Sequence, residues 1–309
     1  MNNANHLARP SRPWTLAAVV LLAGLTLPAW ASSRTRAFSA QKPADPAGTV
    51  EVVNVEGTIE ISGWDQPTVD VSGTIGDKVE RVDVTSSANH TTVRVVLPPG
   101  SSWNGDSSAN LKIRVPQKSA LEVSLVSADL RVSGVTGNQH LQTVSGDIAG
   151  DASGDLQINS VSGDVHLAAR NSHNAKIKTV SGDINITGAD GDIQVNSVSG
   201  DVMLSLGTVT RAHFESVSGD VSVTSAALAA SGQLEATSVS GDLGVHFTAL
   251  PDADIDVQTF SGDIRNCFGP KPVEQQYGPG SRLNFRNGKG GGHIHIDTKS
   301  GDVELCNSK

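Results

Sequence analysis

Aromatic residues make up only 4% of the 309 residues: six phenylalanines, four tryptophans and one tyrosine. Thick globular cores are filled largely by such side chains, so this chain is unsuited to one. A narrow slot between two strand layers, filled by Val, Ile and Leu, is within its means. The only cysteines are Cys267 and Cys306, too few for a disulfide framework or a closed thiolate metal site. Beyond the N-terminal leader no apolar run approaches the ~20 residues of a membrane-spanning helix. Catalytic signatures are missing as well. There is no G-x-S-x-G, no H-E-x-x-H and no glycine loop leading into a helix, since residues 288–292 (GKGGG) read as a hairpin tip. Positive charge is also scarce. With 23 Lys and Arg against 32 Asp and Glu the net charge is −9, which argues against nucleic acid and anionic lipid as direct electrostatic partners.

The first 31 residues read as a secretory signal peptide. Met1–Pro13 carries Arg9 and Arg12 and no acid, Trp14–Leu27 is apolar, and Ala29-Trp30-Ala31 is a small-x-small cleavage site. Neither an Arg-Arg pair nor a cysteine at the cleavage point is present. The competing reading is an uncleaved anchor. Removal of two arginines takes the net charge from −9 to −11 in a mature chain beginning at Ser32. The expected location is exported, either periplasmic or on the cell surface.

A repeat dominates the remainder. The motif Val144-Ser145-Gly146-Asp147-Ile148 returns seven times down the chain with small variations, and a degenerate copy, Val126-Ser127-Ala128-Asp129-Leu130, precedes it. The motif serines stand at 127, 145, 162, 181, 199, 218, 240, 261 and 300, in steps of 18, 17, 19, 18, 19, 22, 21 and 39. After each Asp comes an apolar-x-apolar stretch such as Val165-His166-Leu167, then a Gly/Asp/Asn-rich turn, then a second strand such as Ile193-Gln194-Val195. Such a unit cannot bury its own apolar side and must stack on its neighbours. The fold class expected is all-β, a β-solenoid of two-strand rungs about 4.8 Å apart. Gly146, Gly163, Gly182, Gly200, Gly219, Gly241, Gly262 and Gly301 are the expected structural corners, because glycine supplies torsions other residues avoid. Apolar residues fall at −4, −1, +3 and +5 from the motif serine. That is not a uniform alternation, so a bend or bulge is expected at the corner. The Ser/Thr column at −2 (Thr143, Ser160, Thr179, Ser197, Ser216, Ser238, Thr259, Thr298) can face in or out on this evidence.

The expected organisation is a loose lead-in over 32–48, a β-rich N-terminal cap over 49–123 and solenoid repeats over 124–309, with a loop or hairpin inserted at 269–292. Asn54-Val55-Glu56-Gly57-Thr58-Ile59 reads as a weak copy of the repeat. An Asn-Val-Glu-Gly-Thr-Ile-Glu-Ile-Ser-Gly-Trp-Asp segment followed by tandem Val-Ser-Gly-Asp-Ile units resembles the bacterial putative-adhesin family of β-strand-repeat domains, over roughly Val50–Leu305. The resemblance implies an envelope or surface location and an adhesion-related role, and brings no catalytic residues.

Several residues are candidates for chemistry. Asp147, Asp164, Asp183, Asp201, Asp220, Asp242 and Asp263, with Asp129 and Asp302, form a column that could bind Ca²⁺; alternatively each caps its own turn. His293 and His295 share a strand face, which suits a metal or merely solvent. The other histidines, among them His140, His166, His173, His213 and His246, read as scattered over different repeat phases. Trp64 and Trp103 could stack on sugars or pack beneath the cap. Cys267 and Cys306 each lie six residues after a motif serine. If the inserted stretch makes their 39-residue step a single rung, they are neighbours within disulfide range. The function expected is a non-catalytic envelope scaffold, with no cofactor, that engages an unidentified envelope protein or glycan. The alternatives are a polysaccharide-processing solenoid enzyme and a Ca²⁺-dependent repeat module.

Overall fold

Strands run on both sides of each Ser-Gly-Asp corner because the β-branched residues there alternate with polar ones. The computed structural model describes residues 35–99, 105–274 and 280–308. The proposed leader, residues 1–31, and Trp103 lie outside them. The described residues form strands and turns with no α-helix.

One rung shows the pattern. Asp155–Ser162 runs into the corner at Gly163-Asp164, and Val165–Ala168 leaves it. Leu156, Ile158, Val165 and Leu167 point inward and are buried. Each contributes roughly 1.5–3 kcal/mol by leaving water. Equivalent strands of successive rungs pair in parallel and keep register as they enter the corner, with shifts farther back at Gly191/Asp192 and Val209/Arg211. Ile158 lies beside Ile177, Ile177 beside Val195, and Val195 beside Phe214. The core is therefore a set of like-residue columns two strand layers thick, as the aromatic-poor composition requires.

Space and sequence part company at both ends of the stack. Near the N-terminus, Thr49–Trp64 lies between two later segments. One side pairs in parallel with Ala120–Ser133, and the other with His90–Val96 and Ala109–Pro116. Gly57 takes the corner position beside Ala128 with a φ of 115°, so residues 49–64 are a true rung. The exposed side is closed by antiparallel strands: Arg81–Ser87 on His90–Val96, Thr68–Ile75 on Ala109–Pro116, and Arg36–Pro43 on Thr68–Ile75. The stretch read as a loose lead-in thus holds a strand, because the free edge of Thr68–Ile75 offers it a partner.

At the other end, Gly292–Ser300 and Val303–Asn307 slot between two earlier rungs. Gly292–Ser300 pairs with Val221–Ser240 on one side and with Ala253–Ser261 on the other. Val303–Asn307 pairs likewise with Leu243–Phe247 and Ile264–Asn266. The outermost rung in space is Ala253–Asn266, and Ser281–Asn287 covers its edge in antiparallel. The inserted stretch is therefore a capping strand that turns the chain back, and the last rung in sequence is the penultimate one in space.

Candidate functional site

Each motif glycine has positive φ, from 114° at Gly200 to 147° at Gly146 and Gly262. A Cβ on Gly182 would lie 2.3 Å from the carbonyl oxygen of Gly163 in the rung below. Glycine is needed twice over, for its torsion and for the close stacking of corners.

The aspartates beside them form a hydrogen-bonded ladder. The backbone N–H of Asp164 donates to Asp147 Oδ1 at 2.9 Å, Asp183 to Asp164 at 2.9 Å, Asp201 to Asp183 at 2.9 Å and Asp220 to Asp201 at 2.9 Å. It continues from Asp242 to Asp220 at 2.9 Å, Asp302 to Asp242 at 2.8 Å and Asp263 to Asp302 at 2.8 Å. Each carboxylate caps the neighbouring rung's corner, not its own turn. Among the described residues no group of three or more His, Cys, Asp or Glu is placed to hold a metal ion. The structure gives no support to the Ca²⁺ alternative.

The Ser/Thr column at −2 faces inward, with Thr143, Ser160, Thr179, Ser197, Ser216, Ser238, Thr259 and Thr298 all buried. Thr259 Oγ1 donates to the Gly301 carbonyl at 3.2 Å and Thr179 Oγ1 to that of Ser181 at 3.2 Å. Ser197, Ser216 and Ser238 have no hydrogen-bond partner for Oγ.

Consequently the column at −1 faces outward. Val126, Val144, Val161, Val180, Val198, Val217 and Val239 are each 44–50% exposed on seven adjacent rungs. The column continues through Lys299 to Phe260, which is 65% exposed. The odd step from −4 to −1 in the sequence already placed these valines on the opposite side of the strand from the core residues. The expected bend follows at the corner, where the motif serines are exposed like the valines, the glycines have positive φ and the residues at +3 are buried again. Four of them, Val180, Val198, Val217 and Val239, form one wall of a groove of about 500 Å³.

A second groove runs across the same outer face, nearer the start of each strand. One segment, about 430 Å³, is lined by Glu122, Asn138, His140, Asp155, Gln157, Asn174 and Lys176. The next, about 540 Å³, shares Asn174 and Lys176 and continues through Asp192, Gln194, Arg211, His213, Gln233 and Glu235. Within it Arg211 pairs with Asp192 at 2.7 Å, and His213 lies between Glu215 at 3.1 Å and Glu235 at 3.2 Å. These exposed pairs contribute little to stability and can exchange for a ligand's polar groups. His140, His213 and His295 all stand five residues before a motif serine, so they share this outward column after all. They are separated by intervening rungs.

The remaining candidates have structural partners. The His293 and His295 rings are stacked, with centroids 6.4 Å apart. Trp64 Nε1 donates to the Thr68 carbonyl at 2.8 Å, and the Arg114 guanidinium lies 4.3 Å from the centre of its ring. Cys267 and Cys306 are disulfide-bonded on adjacent rungs, with Cα atoms 4.8 Å apart. The bond joins the inserted rung to the outermost one. Asp254 and Asp256 gather beside Arg282 and Arg286, an acid–base cluster that is not apparent in the linear sequence. Its pairs join Ala253–Ser261 to the capping strand. The hydrogen bond from Arg286, helped by its charge and that of His293, holds the Asp254 carboxyl below its ordinary range. An acid so held is a poor proton donor at neutral pH.

The profile of the family described as Toastrack DUF4097 matches this chain over residues 49–249 and again over 208–306. The chain belongs to the Toastrack family. Among solved structures, this Toastrack chain is similar in fold to a putative lipid binding protein from Parabacteroides distasonis ATCC 8503. The identity is 12%, with 87% of this chain and 96% of that one covered, at a TM-score of 0.50. It is also similar to a putative adhesin from Bacteroides fragilis NCTC 9343 at 11% identity, with 87% and 97% covered and a TM-score of 0.47. Another putative adhesin, from Parabacteroides distasonis ATCC 8503, matches at 13% identity over 88% and 98%, with a TM-score of 0.45. No curated protein matches.

Proposed function

We propose that this protein is a non-catalytic binding scaffold of the bacterial envelope, and that its polar groove holds an extended glycan strand or a partner's polypeptide. The observation that carries this reading is the groove's continuity. Amide, imidazole, carboxylate and ammonium groups recur once per rung from Glu122 to Glu235. A polymer laid along the stack meets a hydrogen-bonding group at every ~4.8 Å. The motif aspartates, by contrast, serve as corner caps, and the hydroxyls at −2 are buried filling. A disulfide between the only two cysteines supports an oxidising compartment outside the cytoplasm.

The test is co-sedimentation of the exported protein with isolated cell walls, and affinity capture of envelope proteins, comparing the wild type with a Lys176→Ala/His213→Ala double variant. Binding that falls at least tenfold in the double variant, with an unchanged thermal melt, supports the assignment. Equal binding by both proteins removes the groove from consideration. Turnover of a wall polysaccharide by purified protein would replace the scaffold reading with an enzymatic one.

A further inference from the structure

We infer that the valine ladder is a self-association surface, and that its occupant is the same ladder of a second copy, with both stacks pointing in the same direction. Seven consecutive rungs each present an outward valine, 44–50% exposed. β-Propensity alone does not account for this. Threonine has the same branched shape and is better suited to water, and the adjacent inward column uses it freely, yet none of the seven outward positions carries it. A valine on every one of these rungs is what an apolar contact requires.

The pitch identifies the partner. The ladder repeats every ~4.8 Å. A surface that engages all seven rungs in equivalent ways needs the same pitch, and a second copy has it by construction. Isologous pairing then sets valine against valine along the whole stack, as facing strands interdigitate in a dry zipper. Roughly 500 Å² of valine surface on each copy, before the flanking columns are counted, brings such a pair near the ~1,200 Å² at which specific interfaces begin. An exposed apolar strip of that size is at the upper end of what monomers leave uncovered.

Charge selects the direction. The aspartate ladder flanks the valines on one side, and the column at −3, which includes Asn159, Lys178, Asn196, Glu215 and Thr237 and over these seven rungs holds one Lys and one Glu, flanks them on the other. A two-fold axis along the stack lays each copy's aspartates against its partner's column of no net charge. An axis across the stack would set aspartates against aspartates. Two copies that each carry a net negative charge also repel at long range, so pairing strengthens as salt screens that repulsion.

Sedimentation equilibrium of the exported protein, with site-directed cross-linking, tests this. The expected result is a dimer whose dissociation constant rises at least tenfold in Val198→Asp and falls as NaCl increases. Val198→Thr, which keeps the side-chain shape, should weaken the dimer to a lesser degree, and both variants should melt like the wild type. Under oxidising conditions Val198→Cys should cross-link to its own counterpart, whereas a mixture of Val161→Cys and Val239→Cys chains should yield each homodimer and little heterodimer. A monomer at all concentrations would overturn the inference, as would a dimer indifferent to Val198→Asp, or a Val161→Cys/Val239→Cys cross-link predominating. So would a monomer whose ladder instead binds neutral phosphatidylcholine vesicles in a Val198-dependent way, which would assign the surface to lipid.

Discussion

Gly200 has a φ of 114°, and a Cβ built there would lie 2.3 Å from the Gly182 carbonyl oxygen. Unfavourable torsion and a backbone collision coincide, so even Gly200→Ala should cost on the order of 3 kcal/mol, and Gly200→Val no less. A thermal melt of either variant within a degree or two of the wild type would contradict this. The buried hydroxyls lead to the opposite expectation. Ser216 Oγ is buried without a hydrogen-bond partner, and an unmade bond of that kind costs ~1–3 kcal/mol. Ser216→Ala should therefore leave stability unchanged or raise it by up to about 1 kcal/mol, measured by denaturant titration. Thr259→Val, which removes a hydrogen bond to the Gly301 carbonyl, should lower it by a similar amount. The corner glycines were legible in the sequence because a repeated Ser-Gly-Asp leaves few other roles. The facing of the hydroxyls was obscured by the apolar valine beside each, although the even step from −4 to −2 within one strand, as from Ile158 to Ser160, sets both on the core side.

At the scale of elements, the motif could be read as strand–corner–strand, but the chain's return at residue 269 could not be followed further. Its apolar spacing in Ser281–Asn287 says strand without naming the neighbour. The capping strand reaches the last rung through the turn at Lys289–Gly291, which is held by one side chain. Asp252 Oδ1 accepts from the backbone N–H of Gly290 at 2.7 Å and of Gly291 at 3.2 Å. The bond from Gly291 is the main influence holding the Asp252 carboxyl below its ordinary range. A depressed folded-state value means the ionised form is the one that stabilises. Its contribution is therefore complete above the ordinary aspartate range near pH ~4, and it is lost as pH falls through the lowered folded value. Hydrogen exchange of the Gly290 and Gly291 amides in wild type and Asp252→Asn checks this. The difference in protection should be full at neutral pH and shrink in acid. A difference that grows toward acid would show that the turn is held by something else.

On the scale of the whole molecule, a stack in which each rung touches only its neighbours unfolds from its ends unless these are secured. Here the C-terminal end is secured by order of insertion. Val303–Asn307 occupies a slot between Leu243–Phe247 and Ile264–Asn266, and Cys267–Cys306 ties it to the outer wall of that slot. Removing Val303–Asn307 would free two strand edges at once, whereas losing a terminal rung frees one. The cross-link closes a loop of 39 residues, which on chain-entropy grounds is worth at most ~4 kcal/mol. That stabilisation acts locally, because the rungs from Gln139 to Val223 pair among themselves without it. Cys267→Ser/Cys306→Ser should therefore split unfolding into two steps. Amides of Val303–Asn307 and Ser281–Asn287 should exchange early, while those of Ile158, Ile177 and Val195 keep wild-type protection. Hydrogen exchange with peptide-level mass spectrometry distinguishes the outcomes. Uniform loss of protection along the stack would mean that the solenoid melts as one cooperative unit and that the inserted rung is no weaker than the rest.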